Sequence, residues 1–140
     1  MEELFARIAA DPFAQSLGIT LEELRPGYAR LRMETTPQML NFHGSVHGGA
    51  IFSLGDAAFA AASNSHGVPA VGLAIEAQYL APASPGQVLV AEAQEEDLGR
   101  RTALYRIVVT NRATGRKVAV LQGRVFRSDA GKGAGEGARE

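Results

Sequence analysis

The chain of 140 residues contains neither cysteine nor tryptophan. The first absence excludes disulfides, thiolate nucleophiles and cysteine-based zinc sites together. The second, with aromatics at only 6%, leaves little on which single-stranded nucleic acid could stack. Neither sign of charge is in excess. Fourteen Lys and Arg against fifteen Asp and Glu give a net charge of −1, so no overall field favours DNA, RNA or an anionic membrane as partner. A long apolar run is missing too. The richest stretch, from Gly48 to Ser65, is interrupted by Asp56 and diluted by Gly and Ser, and it falls short of the ~18–20 residues that span a bilayer. The opening MEELFARIAADPFAQ is acidic and amphipathic, unlike the basic-then-apolar pattern of a secretory signal, so the cytoplasm is the expected location.

What is present suits one folded domain: 46% hydrophobic and 21% charged residues, in a length that supports one core but not two. Residues 1–128 are expected to form that domain, and the Gly-rich charged tail 129–140, whose composition disfavours order, to follow it. Leu4, Phe5, Ile8 and Ala9 recur at helical spacing near the N-terminus. LGITLEELRPGYARLRMET reads as two strands around the turn dipeptide Pro26-Gly27, and Ala29, Leu31 and Met33 alternate with Arg30, Arg32 and Glu34 in the second. A long connection, 35–47, precedes an apolar helix from about Gly48 to Asn64, stopped at Gly67-Val68-Pro69. Four strand-like runs follow, at 70–83, 87–97, 101–110 and 117–127. A helix apolar on most of its surface must be covered, and the sheet is what can cover it. The expected class is therefore α+β, with a long central helix wrapped by one antiparallel sheet of about six strands and a short N-terminal helix.

Asp56 is the conspicuous residue of that helix. An ionised carboxylate in an apolar setting must be paired, hydrogen-bonded, hydrated or protonated. It is either satisfied structurally, by backbone donors or an Arg from the sheet, or it is a base or nucleophile in a cleft, where burial raises its pKa. HGSVHGG, just before, carries His43 and His47, but a metal site lacks a third ligand there. Gly44, Gly48 and Gly49 allow close backbone approach where the helix begins. The first-turn N–H groups have no intrahelical partner and face negative charge favourably, so the helix start could bind a phosphate or polarise a carbonyl. A plain tight turn is the competing explanation. Gly48 and Asp56 are eight residues apart, or ~12 Å along a helix rising ~1.5 Å per residue. If both act on one carbonyl, they must come from different subunits. No G-x-S-x-G elbow, Walker A or dinucleotide fingerprint is present. Arg100, Arg101 and Thr102 sit at a turn, as solvated charges or as a site for substrate phosphates.

The pattern N-x-H-G-x-x-H-G-G-x-x-F-x-L-x-D-x-A-x-A from Asn41 to Ala60 resembles the signature of hotdog-fold acyl-CoA thioesterases, phenylacetate-degradation (PaaI-type) branch. YLAPASPGQVLVAEA and GRRTALYRIVVTNRATGRKVAVLQGRVFR are similar to the remaining strands of that branch, and the resemblance covers roughly residues 13–128. It implies the hotdog fold, dimers whose sheets join edge to edge, often tetramers, and hydrolysis of a thioester without metal or redox cofactor, coenzyme A being part of the substrate. An aromatic or medium-sized acyl group, phenylacetyl-like, is implied on the same ground. Carried over by position, Asp56 would be general base or nucleophile, Gly48 the backbone donor to the thioester oxygen, Asn41 a holder of water or thioester, and His47 a support for carbonyl or loop. Gly49, with Arg100, Arg101 and Thr102, would contact substrate. One departure is that relatives often place a hydroxyl near the start of the strand after the helix, where this chain reads Val71-Gly72-Leu73-Ala74. An acyl-CoA hydratase or dehydratase and a non-catalytic acyl-CoA sensor are the competing functions.

Overall fold

A computed structural model describes residues 1–128; the Gly-rich tail lies outside them. Two short helices, α1 (Glu2–Ala9) and α2 (Pro12–Ser16), precede the hairpin β1 (Thr20–Arg25) and β2 (Tyr28–Glu34). A 3₁₀ turn at Pro37–Met39 leads to the long helix α3 (Gly48–Ser63), then β3 (Ala70–Tyr79), β4 (Val88–Leu98), β5 (Thr102–Asn111) and β6 (Lys117–Arg127). The six strands form one sheet in the order β1-β2-β4-β5-β6-β3, and every pairing is antiparallel.

The sheet wraps α3 because each central strand alternates as its sequence does. Ala29, Leu31 and Met33 of β2 point inward and are buried, as are Leu89, Ala91 and Ala93 of β4, and Ala103, Tyr105, Ile107 and Val109 of β5. The outward arginines of β2 are held by the hairpin itself: Arg30 and Arg32 both reach Glu22, at 3.0 and 3.2 Å. Two glycines let helix and sheet approach. A Cβ on Gly123 of β6 would lie 2.7 Å from the Phe59 ring, and one on Gly55 of α3 would lie 2.9 Å from the Leu121 methyls. Beyond α3, Gly27 N–H donates to Ser65 Oγ at 2.7 Å, and His66 Nε2 lies 2.7 Å from Glu95 Oε1, which also accepts the buried Tyr105 hydroxyl at 3.0 Å.

Two details differ from the sequence reading. The N-terminal region forms two helices, because Asp11 caps a second one: its Oδ1 accepts Phe13 N–H at 3.0 Å and Ala14 N–H at 3.2 Å. The strand expected at 70–83 stops at Tyr79, since Leu80 and Ala81 turn to share the Val118 carbonyl. Helix α3 is covered on most of its surface, as expected, but not all round. Ile51, Leu54, Gly55, Ala58, Phe59, Ala61, Ala62 and Ser63 are buried, while Gly49, Asp56 and Ala60 stay exposed along one stripe. The carboxylate thus stands on the open side of an otherwise packed helix. Strand β3 lies at the sheet's edge beside β6 alone, with Val71 63% and Leu73 50% exposed.

Candidate active site

The site is built from the connection before α3. Asn41 organises it as a tight turn: its N–H donates to Ser45 O at 2.8 Å, and its Oδ1 accepts His43 N–H at 2.8 Å and Ser45 N–H at 3.2 Å. Gly44 completes the turn at φ +87°, a left-handed conformation that favours glycine. Val46 N–H bonds Ala83 O at 2.9 Å and His47 N–H bonds Met39 O at 2.6 Å, fixing the point where the helix starts. The two histidines part here. His43 packs its ring on Phe42 at 4.1 Å between centroids, whereas His47 becomes the N-cap of α3. Among the described residues no three His, Cys, Asp or Glu side chains come together as a metal site.

As N-cap, His47 consumes nearly all donors of the first turn. Its Nδ1 accepts Gly49 N–H at 2.8 Å, and its carbonyl accepts Ala50 N–H at 3.0 Å and Ile51 N–H at 3.3 Å. An accepting Nδ1 carries no proton, so the ring is neutral with its proton on Nε2. Gly48 N–H alone in that turn has no partner among the described residues. The space before it is open because Gly48 has no side chain. The three nearest neighbours of a Cβ there would all belong to Tyr79, at 3.4–3.6 Å, an ordinary contact, and Gly48 has no positive φ. Backbone conformation therefore explains glycine at 44, whereas neither conformation nor a clash requires it at 48, and an uncommitted donor sits beside a cradle, walled by Tyr79, that a methyl group would fill.

Asp56 stands two turns along the same helix. It makes no hydrogen bond or ion pair with any described residue. One side of it faces solvent and the other the packed body of the chain. That partial loss of hydration raises its pKa above the ordinary carboxylate value, and the like charge of Asp11 raises it further. A cleft of ≈ 380 Å³ opens between α3 and the N-terminal helices; Ala57, next to Asp56 in the chain, lines it with Ile8, Leu31 and Ala61, and Arg7 and Asp11 are among its polar residues.

The sequence-derived residues thus separate into groups. Asn41, His47, Gly48 and Gly49 meet at the start of α3, although Gly49 N–H is engaged by the cap. Asp56 is on the same helix but removed from that start. Arg100 and Arg101 lie in the β4–β5 turn, where Arg101 O accepts Arg127 N–H, and Thr102 opens β5 opposite Phe126. Arg127 in turn is opposite Ala70, the end of β3 away from Tyr79, roughly 30 Å distant at ~3.3 Å per residue. Two contributors escaped the sequence reading. Tyr79 donates its hydroxyl to Gly48 O at 3.2 Å, from 31 residues away, and no local pattern announces it. Asp11 was legible only as a helix boundary; its charge on Asp56 arises from the packing of α2 against α3.

Comparison with known proteins bears on this geometry. The model of the thioesterase superfamily matches residues 43–114. The acyl-coenzyme A thioesterase PaaI of Escherichia coli K12 is 41% identical over 117 residues, covering 84% of this chain and 83% of that protein. The structure of E. coli PaaI, from the phenylacetic acid degradation operon, superposes with a TM-score of 0.84 at 40% identity, over 87% of this chain and 88% of the other. Human acyl-coenzyme A thioesterase 13 is 32% identical over 126 residues, 88% of this chain and 89% of that protein. The structure of a hypothetical thioesterase from Streptococcus pneumoniae with coenzyme A is 27% identical with a TM-score of 0.74, over 78% of this chain and 87% of that one. With its central helix wrapped by six antiparallel strands and matches that span most of its length, the chain belongs to the thioesterase superfamily, thioester hydrolases of the hotdog fold, and within it to the PaaI type.

Proposed function

We infer that the protein hydrolyses acyl-coenzyme A thioesters to the free acid and coenzyme A, at a site shared between two subunits. The observation that carries this reading is the Gly48 N–H, the one uncommitted donor of the α3 start, facing a cradle kept open by the missing Cβ. Such a donor, fixed before substrate arrives, stabilises the charge that develops on a carbonyl oxygen under attack. The similarity to thioesterases named for acyl-coenzyme A, and to one solved with coenzyme A, supports the substrate class.

In this reading Asp56, ionised, accepts a proton from water as the water oxygen bonds to the thioester carbon. Partial dehydration and the charge of Asp11 strengthen it as a base. The carbonyl electron pair moves onto oxygen and is held by Gly48 N–H. Collapse of the tetrahedral species breaks the C–S bond, and the departing thiolate takes up a proton to become coenzyme A. Direct attack by the Asp56 carboxylate on the carbon, followed by hydrolysis of the anhydride, uses the same groups. Asn41 keeps its Oδ1 on the turn, which leaves its Nδ2 donor for water or thioester. His47 acts by holding the loop. No metal or redox cofactor enters.

Asp56 and Gly48 of one helix are ~12 Å apart along its axis, so each must serve a different carbonyl. The edge of β3, with Val71 and Leu73 exposed, supports an edge-to-edge homodimer as the completing assembly, and two such dimers a tetramer. Antiparallel pairing of two β3 edges brings the Ala70 end of one beside the Tyr79 end of the other. Arg100, Arg101 and Thr102 then approach the partner's α3 start, where they would meet the coenzyme A phosphates. The cleft of ≈ 380 Å³ that Ala57, the chain neighbour of Asp56, lines with Ile8, Leu31 and Ala61 offers an apolar wall to an aromatic or medium-sized acyl group. No helix among the described residues is long and apolar enough to cross a membrane, and a cytoplasmic site of action is consistent with a coenzyme A substrate. The test is a panel of acyl-coenzyme A substrates with detection of free thiol. Asp56→Ala should lose ~100-fold or more in turnover, the scale of a general base; near-normal turnover by that variant would end the assignment.

A further inference from the structure

The peptide linking Gly48 to Gly49 is held from both ends. Its carbonyl accepts the Tyr79 hydroxyl at 3.2 Å, and its N–H donates to His47 Nδ1 at 2.8 Å. The Tyr79 ring also closes over Gly48, its Cζ and Cε1 lying 3.4 and 3.5 Å from where a Cβ would stand. Two consecutive glycines have the widest backbone freedom of any pair, so a helix start made of them does not aim its own donors. The preceding peptide is anchored at the His47 carbonyl by Ala50 and Ile51. Once the following peptide is anchored as well, Gly48 φ and ψ are set from both sides.

We propose that Tyr79 is a positioning residue for the Gly48 N–H, holding the Gly48–Gly49 peptide jointly with His47 so that the donor is aimed before substrate binds. This rests on the thioesterase reading above. Tyr79 reaches the site from the last position of the edge strand β3, so the orientation of the donor is coupled to the strand that carries the free edge. Because the aimed donor strengthens its bond only as charge develops on oxygen, the effect of Tyr79 falls on kcat rather than KM.

The experiment compares wild type, Tyr79→Phe, His47→Ala and the double variant with one acyl-coenzyme A substrate, each checked for assembly by light scattering. Backbone amide exchange at Gly49 is followed in parallel without substrate. Tyr79→Phe keeps the ring and removes only the hydroxyl. It should lower kcat about 3- to 10-fold, the loss of one neutral hydrogen bond, with KM within about 2-fold and Gly49 exchange accelerated. The double variant should fall less than the product of the single effects, since both side chains hold one peptide. An unchanged kcat, a raised KM at constant kcat, multiplicative effects, unaltered Gly49 exchange, or lost activity that tracks lost assembly would each overturn the proposal. A wild-type chain that hydrolyses no thioester would sink the parent reading instead, and the exchange measurement would still decide what Tyr79 holds.

Discussion

His47 Nδ1 accepts the N–H of Gly49, two residues on, at 2.8 Å, and in doing so leaves Gly48 N–H as the uncommitted donor of the helix start. The cap is therefore selective. An Asp in its place could cap equally well, but its carboxylate would bring a negative charge beside the donor, which the imidazole does not.

Gly48→Ala should separate stability from activity. The added methyl meets the Tyr79 ring at ordinary contact distance, and alanine is the better helix former, so the melting temperature should stay level or rise. The same methyl fills the cradle in front of the donor, and kcat/KM should fall about 100-fold, the scale of losing an oxyanion donor. Thermal melts and thiol release on the same preparation decide it. An alanine variant with wild-type activity would show that no ligand approaches there.

Sharing of the site predicts complementation. Asn41→Asp keeps the Oδ1 that holds the turn while removing the amide donor, so it is preferable to alanine as a partner for Asp56→Ala. Each variant alone should be inactive. After demonstrated subunit exchange in an equal mixture, random pairing restores one intact site in each heterodimer, or roughly a quarter of wild-type activity. No recovery would place both residues in a single-chain site.

The pH profile should report the surroundings of Asp56. Its pKa is raised by lost hydration and by Asp11, and the base must be ionised, so kcat/KM should decline on an acid limb lying above the ordinary Asp value of ~3.9. Asp11→Asn removes the like charge but retains an oxygen to cap α2. Losing a like charge that raised the pKa moves the limb to lower pH. A limb that stays put, or moves upward, would exclude Asp56 as the titrating base or Asp11 as its neighbour.

The core sets its own limit at Gly123. A Cβ there would stand 2.7 Å from the ring of Phe59, which is itself buried and has Tyr105 edge-on at 6.1 Å. Gly123→Ala should destabilise the fold by about 1–3 kcal/mol, seen as a lower urea midpoint at unchanged slope. Wild-type stability would mean that the ring has somewhere to move.

The sequence by itself determined the elements, because their signals are local. Alternation of Ala29, Leu31 and Met33 with Arg30 and Arg32 suffices to make β2 half-buried, and a run of small and apolar residues closed by Gly67 and Pro69 suffices to make α3. It also singled out Asp56 and Gly48, one as a charge in an apolar helix and the other as a glycine at a helix start, and their spacing alone argued that they serve different carbonyls. The tertiary structure decided what depends on residues far apart in the chain. The order of the sheet, in which β3 leaves its sequence neighbours to pair with β6 at the edge, follows from long-range hydrogen bonding that no periodicity encodes. Whether Asp56 was buried or open depended on which faces of α3 the sheet happened to cover. That Gly48 N–H is free depended on one imidazole choosing the next donor along, and that the Gly48 carbonyl is held depended on a tyrosine 31 residues away. Hydrophobic pattern fixes which face of an element turns inward; only packing fixes what stands opposite it.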